Sequence, residues 1–161
     1  MSFSISAIPD IRFGEGALSG LPAAVKSFDG VGAVLLVIDA FLAQSGLAAR
    51  VSSELAEAGV NTQVYSDFAG EPKLAHLHAA IEAGQGADMV IGIGGGSALD
   101  IGKIVACCIA SGEDPMHYAL AANPLPKSPL KKIMIPTTAG TGSSTISHRT
   151  VPGRPKAHPF T

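Results

Sequence analysis

An α/β fold, with a parallel sheet covered by helices, is predicted by two observations on this sequence. Short apolar runs of strand length alternate with longer stretches of helical period, and one such run ends directly in three consecutive glycines that open a helical pattern. Alternation of this kind implies right-handed β-α-β crossovers, because parallel strands need a long connection that returns over the sheet.

The elements follow in order. Residues 3–8 and 11–13 have the composition of short strands ahead of a helix near residues 18–25. Residues 33–38, AVLLVI, form a continuous apolar run rich in branched side chains, as a strand covered on both faces requires. Leu47, Val51, Leu55 and Ala58 then recur at helical spacing, and Gly59 stops the pattern. Residues 62–66 read as the next strand; Leu74, Leu77 and Ile81 mark a helix ending near Gly84, and residues 89–93 read as a further strand. Past the glycines, Ile101, Ile104, Val105, Cys108 and Ile109 form a helical stripe, and residues 132–135 read as another strand.

Composition narrows the function classes. A chain of 161 residues that is 47% hydrophobic is about one domain long and can bury a core. A net charge of -2 supplies neither the basic field that nucleic acid demands nor a polybasic face for a membrane surface. No apolar run approaches a membrane span, and the first residues lack the basic and apolar regions of a signal peptide, so a cytoplasmic location is expected. Cys107 and Cys108 are adjacent in an apolar helical stretch, which suits small core residues better than a disulfide or a metal site. The last fourteen residues, HRTVPGRPKAHPFT, shift in composition: prolines at 152, 155 and 159 forbid a sustained helix, and a disordered or loosely attached basic tail is expected.

The glycines at 94–96 raise the question of what approaches the backbone so closely. At the carboxyl end of a parallel strand, a glycine turn lets helix N-terminal amides reach a phosphate. Two motifs fail against the letters. GxGxxG begun at Gly92 wants a glycine where Ser97 stands, and a P-loop ending at Lys103 wants a glycine at Ser97 and a hydroxyl at Ile104. A phosphate cradle and a tight turn with close helix packing both remain open. Ser97 and Asp100 also approximate a capping box, and Asp100 with Lys103 fits a surface pair. A carboxylate beside an anion-binding helix end would repel the anion, which suggests that Asp100 points elsewhere. A second strand, residues 133–135, runs into four hydroxyls and two glycines between Thr137 and Ser143, donors suited to ribose or phosphate oxygens.

With GIGGGSALDIGK at residues 92–103, IPTTAGTGS at 135–143, FGEGAL at 13–18 and LLVIDA at 35–40, the chain resembles the iron-containing, or group III, alcohol dehydrogenases over roughly residues 5–143. The resemblance implies a Rossmann-like dinucleotide-binding α/β domain over 1–143, an atypical tail over 144–161, and absence of the family's C-terminal all-helical domain. It implies NAD(P)-dependent hydride transfer between a small alcohol and its aldehyde or ketone. It places Asp39 at the adenosine ribose, where a carboxylate favours NAD over NADP. Gly94, Gly95, Gly96 and Ser97 match the diphosphate turn, Thr137, Thr138 and Thr141 the hydroxyl loop that holds the cofactor, and Asp100 the acidic position facing nicotinamide and substrate.

Departures from the family pattern are as informative. The family often carries asparagine where this chain has Glu71 before Pro72. After Ser143 the chain departs from the expected Glu-Val-Thr, as a shifted reading frame or a truncated gene would make it. The aspartate and three histidines that bind the family's divalent metal, iron or zinc, have no counterparts, so no metal ligand is assigned. His148 and His158 lack matching flanks, His117 lies upstream, and His76 and His78, two apart on a helix, diverge. The chain alone is therefore expected to be catalytically incomplete. A homo-oligomer is expected; a non-catalytic nucleotide-binding fragment that associates with a second copy is the alternative, and a maleylacetate reductase or polyol dehydrogenase differs mainly in substrate.

Overall fold

The computed structural model of the chain describes residues 10–121, 123–126 and 129–138. A 3-10 turn, Ala17–Gly20, leads into α1, Leu21–Lys26. Then come β1 (Ala33–Ile38), α2 (Ala40–Gln44), α3 (Leu47–Glu57), β2 (Asn61–Tyr65), α4 (Leu74–Ala83), β3 (Met89–Gly94), α5 (Gly96–Ser111), a second 3-10 stretch (Pro115–Ala121) and β4 (Lys131–Pro136). The four strands are parallel in the order β2-β1-β3-β4. The α/β reading and its parallel sheet hold.

Period-two alternation along the central strands divides the core. Val34, Leu36 and Ile38 of β1, with Met89, Ile91 and Ile93 of β3, pack with Leu21 and Val25 of α1 and Val51 and Leu55 of α3. Leu35 and Val37 of β1 and Val90 of β3 pack on the other face with Leu77 and Ala80 of α4 and Ala98, Ile101 and Val105 of α5. All five residues from Val34 to Ile38 are fully buried. Each such side chain contributes roughly 2 kcal/mol of hydrophobic stabilisation, so this strand is the thermodynamic centre of the sheet. Cys107 and Cys108 are buried as small core residues, and burial pushes the Cys108 thiol up to about 11, where it is an inert thiol at neutral pH.

Glycines set how closely α5 lies on the sheet. A Cβ at Gly92 would come 2.9 Å from Met134 Sδ, and one at Gly102 would come 3.3 Å from Met134 Cε and 3.5 Å from Val90 Cγ1. Both glycines therefore serve close packing of helix on sheet.

Three local expectations are corrected. Residues 11–13 form no strand: Ile11 and Phe13 are exposed, and no strand among the described residues pairs with them. Residues 3–8 lie outside the described residues. The helix expected over 18–25 is split into a 3-10 turn and a six-residue α-helix, with Pro22 in the first turn where its missing N-H costs nothing. The capping box at Ser97 is absent, because α5 starts at Gly96 with Gly95 as N-cap, which places Ser97 inside the first turn.

Candidate functional site

The connections identify where a ligand fits. From β1 the chain passes through α3 to β2 on one side; from β3 it passes through α5 to β4 on the other. The neighbouring strands β1 and β3 thus form the point where the winding reverses, and the crevice outside their carboxyl ends is the ligand position of an open α/β sheet. Asp39 follows β1, and Gly95 and Gly96 follow β3.

The strand ends are held level by main-chain bonds that prolong the ladders. Asp39 N-H donates to the Ile93 carbonyl at 3.2 Å, and Thr137 N-H donates to the Gly94 carbonyl at 2.9 Å. Gly94 is thus clamped between the residues that follow β1 and β4. Its φ of +148° is a conformation that side-chain-bearing residues rarely adopt. The Asp39 carboxylate lies over it: Oδ2 accepts the Gly95 N-H at 2.7 Å. A Cβ at Gly94 would overlap that oxygen and lie 2.6 Å from Asp39 Cγ. Part of the close approach read from the glycine run is therefore made by the protein's own carboxylate.

Beyond Gly95 the first turn of α5 still presents donors. Leu99 N-H is the first to reach back, to the Gly95 carbonyl at 3.2 Å. The amides of Gly96, Ser97 and Ala98 precede it and have no intrahelical acceptor, and the helix dipole favours an anion there. Thr138 stands on the far side of the turn, its Oγ1 3.8 Å from where a Gly95 Cβ would be, about as far as Asp39 Oδ2. Asp39, Gly95 and Thr138 are thus brought together, with Thr137 beside them and both threonines exposed. Thr141 lies outside the described residues.

Ser97 and Asp100 make contacts that sequence spacing gives only in part. The Ser97 hydroxyl donates to the Gly70 carbonyl at 2.8 Å, tying the β2–α4 loop to the start of α5. That tether was not foreseen from the sequence; its one local sign is the Gly-Glu-Pro turn at Gly70. Asp100 Oδ1 sits 3.5 Å from Lys103 Nζ, the surface pair anticipated from the i, i+3 spacing. Its carboxylate is half-exposed, whereas the lysine is largely covered. Nearby on β4, burial lowers the Lys132 ammonium below its usual range; Cys107 opposes the shift and Lys103 adds to it.

The described histidines do not converge. His76 Nδ1 accepts the Lys73 N-H at 3.2 Å, whereas His78 Nε2 is 2.8 Å from Asp114 Oδ2 and His117 Nδ1 is 3.6 Å from Glu113. Among the described residues no three His, Cys, Asp or Glu side chains are grouped so as to hold a metal ion. His148 and His158 lie outside the described residues. No helix among the described residues is long and apolar enough to cross a membrane.

Known proteins resemble this chain in sequence and in fold. The chain is 38% identical over 139 residues to long-chain-alcohol dehydrogenase 1 of Geobacillus thermodenitrificans, covering 84% of this chain and 35% of that protein. It is 31% identical over 141 residues to the NAD-dependent methanol dehydrogenase of Bacillus methanolicus, covering 86% of this chain and 36% of that one. Its fold matches the crystal structure of sulfoacetaldehyde reductase from Bifidobacterium kashiwanohense in complex with NAD+, with a TM-score of 0.79 and 29% identity over 89% of this chain and 38% of that one. The chain thus spans little more than a third of the length of these relatives. The iron-containing alcohol dehydrogenase family matches residues 9–151, past the Ser143 at which the motif resemblance ends. With the glycine turn, the threonine loop and the parallel sheet all inside that match, this chain belongs to the iron-containing alcohol dehydrogenase family.

Proposed function

We propose that this chain is the dinucleotide-binding part of an NAD-linked oxidoreductase that interconverts a small alcohol and its aldehyde or ketone. The observation that carries the reading is the Asp39 carboxylate held at the N-terminus of α5, at the winding reversal between β1 and β3. The residues present fit the cofactor. Amides of Gly96 and Ser97 face a diphosphate, Asp39 accepts from ribose hydroxyls, and Thr137, Thr138 and Thr141 supply further donors. A 2'-phosphate would meet the Asp39 charge at close range, which favours NAD over NADP. Asp100 is assigned to the nicotinamide and substrate side, with Lys103 holding its carboxylate.

Bound nicotinamide supplies the hydride acceptor; this chain's part is to hold and orient it. The divalent metal that the family name implies has no fitting group of ligands among the described residues. Cofactor binding and turnover are separable. NADH titration followed by fluorescence, with NADH production from short alcohols in added iron or zinc, tests both halves. Absence of NADH binding would refute the dinucleotide reading, and NADH production would show hydride transfer by the 161-residue chain.

A further inference from the structure

We propose that Gly94 and the Gly95 amide determine nucleotide selectivity by positioning the Asp39 carboxylate; the inference rests on the dinucleotide reading above. The backbone of Asp39 is fixed from two sides, by its own N-H on the Ile93 carbonyl and by Ala43 N-H on the Asp39 carbonyl at 2.9 Å. That leaves side-chain rotation as the remaining freedom. The structure restricts it twice: Gly95 N-H takes Oδ2 at 2.7 Å, and the space that the carboxylate fills exists because Gly94 has no Cβ. A methyl group at Gly94 would overlap Oδ2, lie 2.6 Å from Cγ and crowd the Ala98 Cβ at 2.9 Å, so the carboxylate must turn away.

This assignment gives the glycines separate tasks. Gly95 N-H orients the carboxylate, whose second oxygen remains for a ribose hydroxyl, while the diphosphate takes the amides of Gly96 and Ser97. Gly94 and Gly95 are thus positioning residues that act through Asp39. A general loosening of the turn would weaken NADH and NADPH alike, whereas displacing Asp39 alters their ratio.

The test uses the full chain and fluorescence titration of NADH and NADPH, with circular dichroism to verify folding. Wild type should prefer NADH. Gly94→Ala should lose most of that preference, the ratio of dissociation constants falling about tenfold, as expected for one lost charge-assisted hydrogen bond. Gly95→Pro gives an independent route if Gly94→Ala fails to fold: φ at Gly95 is -76°, close to what proline requires, and the substitution removes the N-H. It should lower the ratio to a similar extent, whereas Gly95→Ala, which keeps the N-H and makes only ordinary contacts, should leave the ratio unchanged. Equal weakening of both nucleotides in Gly94→Ala or Gly95→Pro overturns the inference and leaves the dinucleotide reading standing. A wild type that binds both equally also overturns it, and one that binds neither removes the dinucleotide reading itself.

Discussion

Replacing Asp39 by asparagine separates the charge at the crevice from its shape. The amide oxygen can still accept the Gly95 N-H, which the carboxylate accepts at 2.7 Å, so the turn keeps its partner. The charge is what disappears. Two unit charges about 4 Å apart repel by about 1 kcal/mol in water and about 4 kcal/mol at an effective dielectric of 20, and Asp39 is half-buried. An intermediate value of about 2 kcal/mol corresponds to a roughly 30-fold gain in NADPH affinity. NADH should weaken only a few-fold, because the asparagine oxygen still accepts from its ribose. Exchanging a charge-assisted bond for a neutral one should also cost about 1 kcal/mol of stability, near 4 °C in Tm for a domain of this size. Parallel NADH and NADPH titrations with a thermal melt measure all three quantities. An NADPH affinity unchanged within about twofold would refute the placement of Asp39 at the ribose.

Other substitutions probe the frame around the site. Ser97→Ala removes the bond to the Gly70 carbonyl; amide hydrogen exchange should accelerate across the β2–α4 loop, with a stability loss of only about 0.5–1 kcal/mol. Gly84→Ala should destabilise by about 1–3 kcal/mol in urea titration, because its Cβ would lie 2.7 Å from Ile109 Cδ1 and 2.8 Å from the fully buried Leu35 Cδ2. Asp88 accepts the Gly32 and Ala33 N-H groups at 2.8 and 2.9 Å, and these bonds hold its carboxyl below the usual range. Its folded pKa is lowered, so its stabilisation is complete above the unfolded value and lost as pH falls through the folded one. Asp88→Asn should therefore cost about 0.5–1 kcal/mol at pH 7, after allowance for solvent exposure, and denaturation curves of the two proteins should converge in acid.

The sheet and its long helices were legible because their burial is periodic. The continuous run at β1 is buried on both faces, and the stripe through Val51 and Leu55 lies on the core side of α3. Elements too short to show a period were not legible. Five-residue α2 is less than two turns long, and only its packing of Leu42 and Ala43 against the core accounts for it. At Ile11 and Phe13 the composition suggested a strand, but composition supplies no pairing partner, and both side chains stand exposed.

The site shows the same division between local and distant causes. A run of glycines announces close approach without naming what approaches, and the structure gives different answers at different positions: Met134 at Gly92 and Gly102, the Asp39 carboxylate at Gly94. Close packing thus accounts for Gly92 and Gly102, and the protein's own carboxylate for Gly94. Asp39 is 56 residues from Gly95 and Ser97 is 27 from Gly70, so neither contact has a signature in spacing. Charge repulsion at the start of α5 concerns a carboxylate other than Asp100. Asp100 lies in the second turn beside Lys103, and the carboxylate that reaches the helix end is Asp39. It occupies an amide just outside α5 and leaves those of the first turn for the diphosphate proposed above. Both can share one helix terminus because each has its own donor and both profit from the same dipole. Their mutual repulsion then falls most heavily on a nucleotide that brings an additional phosphate to the ribose side.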